Sequence, residues 1–314
     1  MHRVLLPFEF AEATSVAEAV ALIDGDAVRA LAGGVDLVLN MRLRQIVPQR
    51  VVSLQKIPGL DYVAADGPAD GRAAGAAPGS AAPGGALRIG ALATLRRVET
   101  APAVGAGWPL LTEAIGSIVS MQTKVMGTLA GNLCVGTPAS DVAPALYALG
   151  ARVRIAGVGG EREIPVEEFF LAPGRTAVGP HEMVTEIVVP APAAGSAGAF
   201  LKLSKTAEDI AKVNVAVQVE STGGVCTAAR IAIGSAAPTP VRAAAAESIL
   251  AGRAFDVGAI AAAAEAAVQA VCPISDVRST ARYREEMVRV LVRDALERAS
   301  VRTAGPARAR GKEA

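Results

Sequence analysis

The order of strand-like and helix-like patterns changes near a segment with two prolines and two glycines at residues 189–198, and this change limits the possible folds most. Upstream, short apolar runs alternate with glycine pairs and helical spacings, which is typical of α/β units. Downstream, strand-like runs come first and helix-like runs follow, which is typical of an α+β domain. With 314 residues, 52% of them hydrophobic, the chain can bury a core in each of two domains. We therefore expect two domains that meet within about ten residues of position 190.

The upstream part begins with a small β-Gly-Gly-α-β unit. Its patterns are a strand at 27–31, a turn at Gly33-Gly34, a helix at 35–44 and a strand at 50–54. Further patterns predict a strand at 87–90, a helix at 109–119, a Gly-punctuated stretch at 127–136, a helix at 141–149 and a strand at 151–155. Ser140 is expected to cap the start of the last helix and Gly150 its end.

The downstream part has strand patterns first and helix patterns afterwards. Strands are predicted at 200–203, 213–220 and 225–233, with a hairpin at Thr222-Gly223-Gly224, and helices at 240–250, 257–271 and 282–299. In the last helix, Met287, Leu291 and Ala295 recur at every fourth position, so we expect this face to pack on the sheet.

Two segments are expected to lack a packed structure. Residues 64–86 are so rich in Gly, Pro and Ala that they cannot bury a face, so a flexible exposed loop is predicted, with a domain linker as the alternative. Residues 303–314 are predicted to be a disordered tail.

Charge and hydropathy exclude several classes of protein. Thirty-one Lys and Arg residues balance 30 Asp and Glu residues, which argues against a nucleic-acid partner bound through a basic surface. The most apolar stretch, residues 259–271, contains Glu265 and Gln269 and is shorter than a membrane span, so none is predicted. The first nine residues lack the pattern of a secretory signal. We therefore expect a cytoplasmic protein.

Cysteine and histidine are too sparse for much chemistry. Cys134, Cys226 and Cys272 include no close pair, and His2 and His181 are the only histidines, so we expect no metal ligands, no iron–sulfur cluster and no His-based triad. Chemistry would have to come from a bound cofactor, or from carboxylates, lysines and backbone amides.

A first candidate site is Ala32-Gly33-Gly34-Val35-Asp36, between a predicted strand and a predicted helix. Glycines allow an anion to approach the backbone, and the free N–H groups at a helix start favour phosphate. An ordinary tight turn with Asp36 in the first helical turn is the alternative. The segment does not match G-x-G-x-x-G, and no P-loop is present.

A second candidate is Gly127-Thr128-Leu129-Ala130-Gly131-Asn132, followed by Thr137-Pro138-Ala139-Ser140-Asp141. Small residues, hydroxyls and an amide at this density can form a backbone nest around a pyrophosphate, and Asp141 could accept hydrogen bonds from a polyol. A Gly-rich loop before a capped helix remains the alternative.

Four segments in order resemble a known family. They read AGGVDLVLNMR, QTKVMGTLAGNLCVGTPASDVAPAL, LKLSKTAEDIAKVNVAV and PISDVRSTARYREEMVRVLVRDAL. They are similar to signature segments of the FAD-binding subunit of molybdenum-containing hydroxylases, the medium-subunit family of xanthine dehydrogenase and carbon monoxide dehydrogenase. Departures include Ala130 where the family commonly has Gly, and Lys124-Val125 where it commonly has Arg-Asn. The basic run at 205–209 is also one residue shorter than usual.

The resemblance implies a fold and a set of FAD-binding residues. A PCMH-type FAD-binding domain of two α/β subdomains is expected at 1–190, and a C-terminal domain of antiparallel sheet plus helices, of the carbon monoxide dehydrogenase flavoprotein type, at 191–302. No catalytic side chain is implied. The implied cofactor-binding residues are Ala30, Leu31, Ala32, Gly33, Gly34, Val35, Asp36, Leu37, Ile118, Gly127, Thr128, Leu129, Ala130, Gly131, Asn132, Asp141, Val184 and Lys202. Without the resemblance, Lys202 would be read as a solvated strand residue and Cys134 as a small buried hydrophobe.

The resemblance also implies a function that needs partners. FAD would take electrons from a [2Fe-2S] small subunit, next to a molybdopterin large subunit, and pass them to an external acceptor such as NAD or a quinone. A dimer of heterotrimers is expected. A self-sufficient FAD-dependent oxidoreductase of the same fold is the alternative, and a silent scaffold or ligand-binding module is a second one.

Overall fold

The structure, a computed structural model, describes residues 4–66 and 85–303. Most of the loop predicted at 64–86 therefore lies outside the described residues, as does the tail predicted at 303–314 apart from Thr303. Two residues of that loop, Ala64 and Ala65, belong to a strand instead, and Thr303 ends a long helix. Pairing with the next strand of the sheet holds the two alanines in extended conformation.

The first sheet is small and parallel, with α1 and α2 joining its strands. Its elements are β1 (Glu9–Glu12), α1 (Val16–Leu22), β2 (Val28–Leu31), α2 (Val35–Arg42) and β3 (Arg50–Ser53). The strand order is β1-β3-β2, and β3 pairs in parallel with both neighbours. The predicted β-Gly-Gly-α-β unit is thus present, because a helical crossover is what joins two parallel strands. Neither β1 nor α1 was predicted.

A second sheet of five strands follows, and every neighbouring pair in it is antiparallel. Its strands are β4 (Val63–Ala65), β5 (Leu87–Gly90), β6 (Arg152–Gly157), β7 (Gly160–Pro165) and β10 (Glu182–Val189), in the order β4-β5-β10-β6-β7. A separate hairpin consists of β8 (Phe170–Ala172) and β9 (Arg175–Thr176).

Six helices lie between β5 and β6. They are α3 (Leu95–Thr100), α4 (Pro102–Gly107), α5 (Pro109–Gly116), α6 (Met121–Met126), α7 (Leu129–Cys134) and α8 (Val142–Ala148). The helix predicted at 109–119 ends at Gly116. The N-cap of α8 is Asp141, one residue after the predicted Ser140, although Ser140 Oγ still accepts a hydrogen bond of 3.1 Å from the Ala143 N–H. Gly150 follows the C-cap residue Leu149 with φ +66°.

The third sheet and three helices form the last third of the structure. The elements are β11 (Ser196–Leu203), β12 (Val213–Thr222), β13 (Val225–Gly234), β14 (Val241–Arg242), α9 (Ala244–Leu250), α10 (Val257–Val268) and α11 (Ala281–Thr303). The antiparallel order is β11-β12-β13-β14, and the predicted hairpin turns at Gly223 and Gly224, both with positive φ.

The helix predictions in this part were inaccurate in detail, and the helix predicted at 257–271 ends at Val268. The pattern at 240–250 begins as strand β14, because Val241 and Arg242 pair with β13, and the helix starts only at Ala244. In α11 the fully buried stripe runs through Val288, Val292 and Ala295, whereas Met287 and Leu291 are only partly buried. The buried face of α11 is therefore wider than the predicted stripe, and its centre lies about one residue further along the helix, at Val288 and Val292.

Helix α8 connects the two halves of the core. All seven of its residues are buried, and it packs against β12 and β13 of the third sheet as well as against α5. Phe200, Ala216 and Ala232 of the third sheet accordingly join the core cluster that contains α8. The segment just before α8, which carries the second candidate motif, is thereby held between the upstream and downstream parts.

Candidate functional site

A cleft of about 800 Å³ opens beside the turn that joins β2 to α2. Its walls are this turn, the start of α7, the β8–β9 hairpin with the segment after it, and the first residues of β10. Clefts of a few hundred to a thousand Å³ are the usual size for organic cofactors. The cleft brings both glycine motifs of the sequence to one place.

The glycine pair between β2 and α2 has two separate structural reasons. Gly34 stands at the N-cap of α2 with φ +74°, a conformation that glycine adopts without strain. A Cβ on Gly33 would lie 1.7 Å from the carbonyl oxygen of Met126, so only glycine lets this turn touch the end of α6. No side chain caps α2, and its first N–H groups are free of intrahelical partners. This helix start borders the cleft and suits an anion.

The second motif is the start of a helix, where the sequence analysis expected a Gly-punctuated stretch that could form a backbone nest. Thr128 Oγ1 accepts a hydrogen bond of 2.9 Å from the Gly131 N–H and caps α7. A Cβ on Gly131 would lie 2.8 Å from this same hydroxyl. The Leu129 N–H is bound to the Ala93 carbonyl. The glycines therefore serve a tightly capped helix start, and local propensity alone did not reveal the helix, because six residues depend on packing for their stability.

The β8–β9 hairpin forms a third wall that the sequence analysis missed. The Gly174 N–H donates a hydrogen bond of 2.9 Å to the carbonyl of Gly136, just after α7. This contact holds the hairpin against the second motif. Leu171, Arg175 and Thr176 of the hairpin line the cleft. The only available signal was the composition of residues 173–176, Pro-Gly-Arg-Thr, which reads as an ordinary turn.

Most of the residues named from the sequence border the cleft, and four do not. Ile118 is partly buried against the core, and Leu129 is fully buried in it. Asp141 and Lys202 lie together elsewhere, in a buried cluster. Of the residues named from the sequence, those that line the cleft are Ala30, Leu31, Ala32, Gly33, Gly34, Val35, Asp36, Leu37, Gly127, Thr128, Ala130, Gly131, Asn132 and Val184.

Asp141 and Lys202 form an ion pair between the upstream and downstream parts. Lys202 Nζ lies 2.7 Å from Asp141 Oδ2, and Asn214 Nδ2 donates a hydrogen bond of 2.9 Å to Asp141 Oδ1. The Lys202 side chain is only 10% exposed, so the reading of a solvated strand residue is wrong. Burial raises the pKa of Asp141, and the ion pair with Lys202 opposes that rise. Through Ser140, whose Oγ donates to Asn132 Oδ1 at 2.6 Å, the cluster is connected to the edge of the cleft.

Two of the titratable groups that line the cleft have a raised pKa. Desolvation in the cleft wall raises the pKa of Asp36. Cys134 is reached by solvent from the cleft, so the reading of a buried hydrophobe is wrong. Protein atoms nevertheless surround its sulfur closely enough that desolvation raises the pKa of the thiol to about 12. Within residues 4–66 and 85–303, no three His, Cys, Asp or Glu side chains come together as metal ligands would.

The chemistry of the cleft fits a dinucleotide. An uncapped helix start and the arginines Arg29 and Arg175 suit phosphate groups, while hydroxyls and an amide from Thr123, Thr176 and Asn132 suit sugars. The fold and the cleft together define a protein that binds a phosphate-containing organic cofactor.

Comparison with known proteins specifies that class. Residues 6–192 match the family described as FAD binding domain in molybdopterin dehydrogenase, and residues 198–299 match the CO dehydrogenase flavoprotein C-terminal domain. The carbon monoxide dehydrogenase medium chain of Hydrogenophaga pseudoflava is 33% identical over 95% of this chain and 98% of its own length. A subunit of the 6-hydroxypseudooxynicotine dehydrogenase complex of Paenarthrobacter nicotinovorans is 30% identical over 93% of this chain and 94% of its own length. A chain of the reconstituted CO dehydrogenase from Oligotropha carboxidovorans superimposes with a TM-score of 0.87 at 31% identity, covering 95% of this chain and 99% of that one.

The chain therefore belongs to the family of FAD-binding medium subunits of molybdenum-containing hydroxylases. This confirms the resemblance, the α+β fold and FAD as the cofactor, and it makes the chain an oxidoreductase component. None of the helices in the described part of the chain is long and apolar enough to cross a membrane.

Proposed function

We propose that the chain is an electron-transfer subunit, with FAD in the cleft between α2, α7 and the β8–β9 hairpin. The bound flavin would accept electrons from a [2Fe-2S] small subunit and release them to an external acceptor. The observation that carries the proposal is the convergence of both glycine motifs on one cleft. The names of the relatives, a medium chain and a complex subunit, support a role within a larger assembly.

The two glycine motifs have distinct tasks in this proposal. Residues 30–37 would face the diphosphate with the free N–H groups of α2, and residues 127–132 would close the other side through the capped start of α7. Val184, at the edge of the cleft, would make a main-chain contact with the cofactor. The described residues would thus bind and orient the cofactor, and they need not transfer a proton.

Asp141, Lys202 and Ile118 remain proposed cofactor residues although they do not line the cleft. Asp141 and Lys202 now satisfy each other at 2.7 Å, so a ribityl hydroxyl or a flavin ring would have to compete with this ion pair. Leu129 would contribute only its backbone, because its side chain is fully buried.

The proposal includes the partners and the domain limits. We propose a molybdopterin large subunit beside the small subunit, a dimer of these heterotrimers, a cytoplasmic location, and a division into domains at 1–190 and 191–302. The scarcity of cysteine and histidine supports an electron donor on another chain. A self-sufficient FAD-dependent oxidoreductase is the second candidate, favoured only by the completeness of the cleft within this chain.

The first test is FAD affinity after a change at the second motif. Gly131→Val should weaken FAD binding by about 1–3 kcal/mol, because a β-carbon would press on the capping hydroxyl of Thr128 and disturb the cleft wall. Gly105→Ala is the matched control, since a Cβ there meets nothing within 4 Å. Flavin absorbance and a titration of the apoprotein supply the measurement. Equal affinities in folded Gly131→Val and wild type would contradict the placement of FAD.

The second test concerns the subunit role. Purification from the native host should bring down a cysteine-rich small chain and a large molybdopterin chain, and hydroxylase activity should require all three. Turnover of an organic substrate at about 1 per second or more by the isolated flavoprotein would instead establish the self-sufficient oxidoreductase.

A further inference from the structure

Arg175 stands out in the cleft because its charge has no acceptor among the residues that the structure describes. Its side chain is exposed and lines the cleft, and it makes no hydrogen bond or ion pair with any described residue. We propose that Arg175 is the counterion of the FAD diphosphate. This inference rests on the proposed function of the cleft. It adds Arg175 to the FAD-binding residues, which the sequence analysis did not do.

The backbone at Arg175 is held firmly at the cleft wall. On one side, the Gly174 N–H donates to the Gly136 carbonyl at 2.9 Å, and a Cβ on Gly136 would lie 3.0 Å from the Arg175 nitrogen. On the other side, the Ala177 N–H donates to the Phe169 carbonyl at 2.8 Å, and Arg162 donates to the Ala177 carbonyl at 2.6 Å. An arginine on so fixed a backbone needs to order only its side chain when it binds an anion.

The other charged groups of the cleft are paired, negative or partly bonded to the backbone. Glu182 is bound by Arg162 at 2.9 and 2.7 Å. Arg29 donates to the backbone carbonyls of Asp26 and Val28 at 2.6 and 2.9 Å. Asp26 and Asp36 add two carboxylates to the lining. A diphosphate brings two further negative charges, so a cation that is free to pair is needed to balance this cleft.

The guanidinium is suited to this partner. It presents its N–H groups in a planar fork that matches two phosphate oxygens, and such charge-assisted hydrogen bonds are stronger than neutral ones. The uncapped start of α2 would bind the same diphosphate from the opposite motif. Arg175 would thus complete a cradle whose other donors are backbone N–H groups.

The test is the salt dependence of FAD binding to the full-length apoprotein, followed by quenching of flavin fluorescence. Arg175→Gln should raise the Kd for FAD about tenfold at low salt and flatten its dependence on salt, because one screened charge pair is lost. Arg175→Lys should lie between, since a lysine keeps the charge but not the fork. Arg298→Gln, which removes the same charge from an exposed position on α11, is the matched control and should bind FAD as the wild type does.

A competition with ADP identifies the group that is recognised. ADP carries the diphosphate without the flavin, so its Kd, obtained from displacement of FAD, should rise in Arg175→Gln by about the same factor as the Kd for FAD and should keep the wild-type value in Arg298→Gln. An unchanged Kd for ADP in Arg175→Gln would show that Arg175 does not bind the diphosphate. If Arg175→Gln binds FAD with wild-type affinity and salt dependence, the role of Arg175 is wrong and the FAD cleft stands. If the wild-type apoprotein binds no FAD, the proposed cleft itself is wrong and the role of Arg175 fails with it.

Discussion

At the scale of single residues, the glycines of this chain show how one residue type serves different needs. Gly34 is required by a positive φ, Gly33 by the approach of the Met126 carbonyl, and Gly131 by the hydroxyl that caps α7. The sequence made both motifs visible as phosphate-binding candidates. It could not separate these reasons, because each depends on a neighbour that is distant in the chain or on local helix formation.

Gly33→Ala tests the contact between the two motifs. The added carbon would overlap the Met126 carbonyl, so the β2–α2 turn and the end of α6 must move apart. We expect a loss of about 1–3 kcal/mol in the free energy of unfolding, together with weaker FAD binding. Chemical denaturation of the apoprotein beside Gly105→Ala gives the comparison. A Gly33→Ala variant as stable as the control would show that the turns separate without cost.

The raised pKa of Cys134 leads to a prediction about how fast its thiol is alkylated at different pH values. The thiolate is the reactive form, and desolvation raises the pKa of this thiol from 9.0 to about 12. Alkylation of Cys134 by iodoacetamide at pH 8 should therefore be slower than that of an ordinary thiol, and its rate should keep rising at pH values where the rate of an ordinary thiol has levelled off. Exposed Cys272 serves as the internal reference in peptide mass mapping, and the unfolded chain should label at both positions. Similar rates for the two cysteines in the folded protein would contradict the desolvation.

At the scale of elements, the sequence predicted the helices and strands with a clear periodic pattern and missed the short ones. The β2–α2–β3 unit, the β12–β13 hairpin and α11 have clear periodicity or turn residues, and they are present close to the expected limits. Helix α7 has only six residues, and glycines in and around it lower the helix propensity of the segment. Its formation therefore depends on the cap at Thr128 and on packing. The β8–β9 hairpin was not predicted as a cleft wall because its position also depends on packing. It is held there by the hydrogen bond to the Gly136 carbonyl, which belongs to another segment.

A change at Ser140 tests whether one side chain both caps a helix and orients a residue of the cleft. Its Oγ accepts from the Ala143 N–H at the start of α8 and donates to Asn132 Oδ1 at the cleft. Ser140→Ala should cost about 1–2 kcal/mol of stability, as cap removal does, and should also weaken FAD binding because Asn132 loses its orientation. Thr94→Ala, which removes the analogous cap of α3, is the control for stability alone. If both variants bind FAD equally well, Ser140 is only a cap.

At the scale of the whole molecule, the upstream and downstream parts meet through buried polar contacts as well as through α8. The side chains of Asp141 and Lys202 are only 8% and 10% exposed, and Asn214 binds both Asp141 and the Ser140 carbonyl. Arg302, in the last turn of α11, pairs with Glu113 of α5 at 2.7 Å and adds a second tie. Asp141 and Lys202 are 61 positions apart in the chain, and Glu113 and Arg302 are 189 positions apart. No local sequence pattern could therefore reveal these contacts.

Lys202→Met tests the buried pair, and its effect should depend on pH. Removing the lysine leaves a buried carboxylate without its counterion, which costs about 3–5 kcal/mol at neutral pH. Burial already raises the pKa of Asp141 above its unfolded value, and without Lys202 the rise is no longer opposed. A raised folded pKa gives stability that is complete below the unfolded pKa and is lost as pH rises through the folded one. The deficit of Lys202→Met should therefore shrink as the pH is lowered from 7 and Asp141 takes up a proton in the folded state.

Thermal and denaturant unfolding of wild type and variant across this pH range supply the measurement. Lys56→Met is the matched control, because Lys56 pairs with Glu12 at the same distance of 2.7 Å while both side chains are largely exposed. Loss of an exposed pair should cost no more than about 1 kcal/mol. A Lys202→Met deficit that is as small as that of Lys56→Met, or that does not change with pH, would show that solvent reaches Asp141. The junction between the two parts would then be held by apolar packing around α8 and by the Arg302–Glu113 pair.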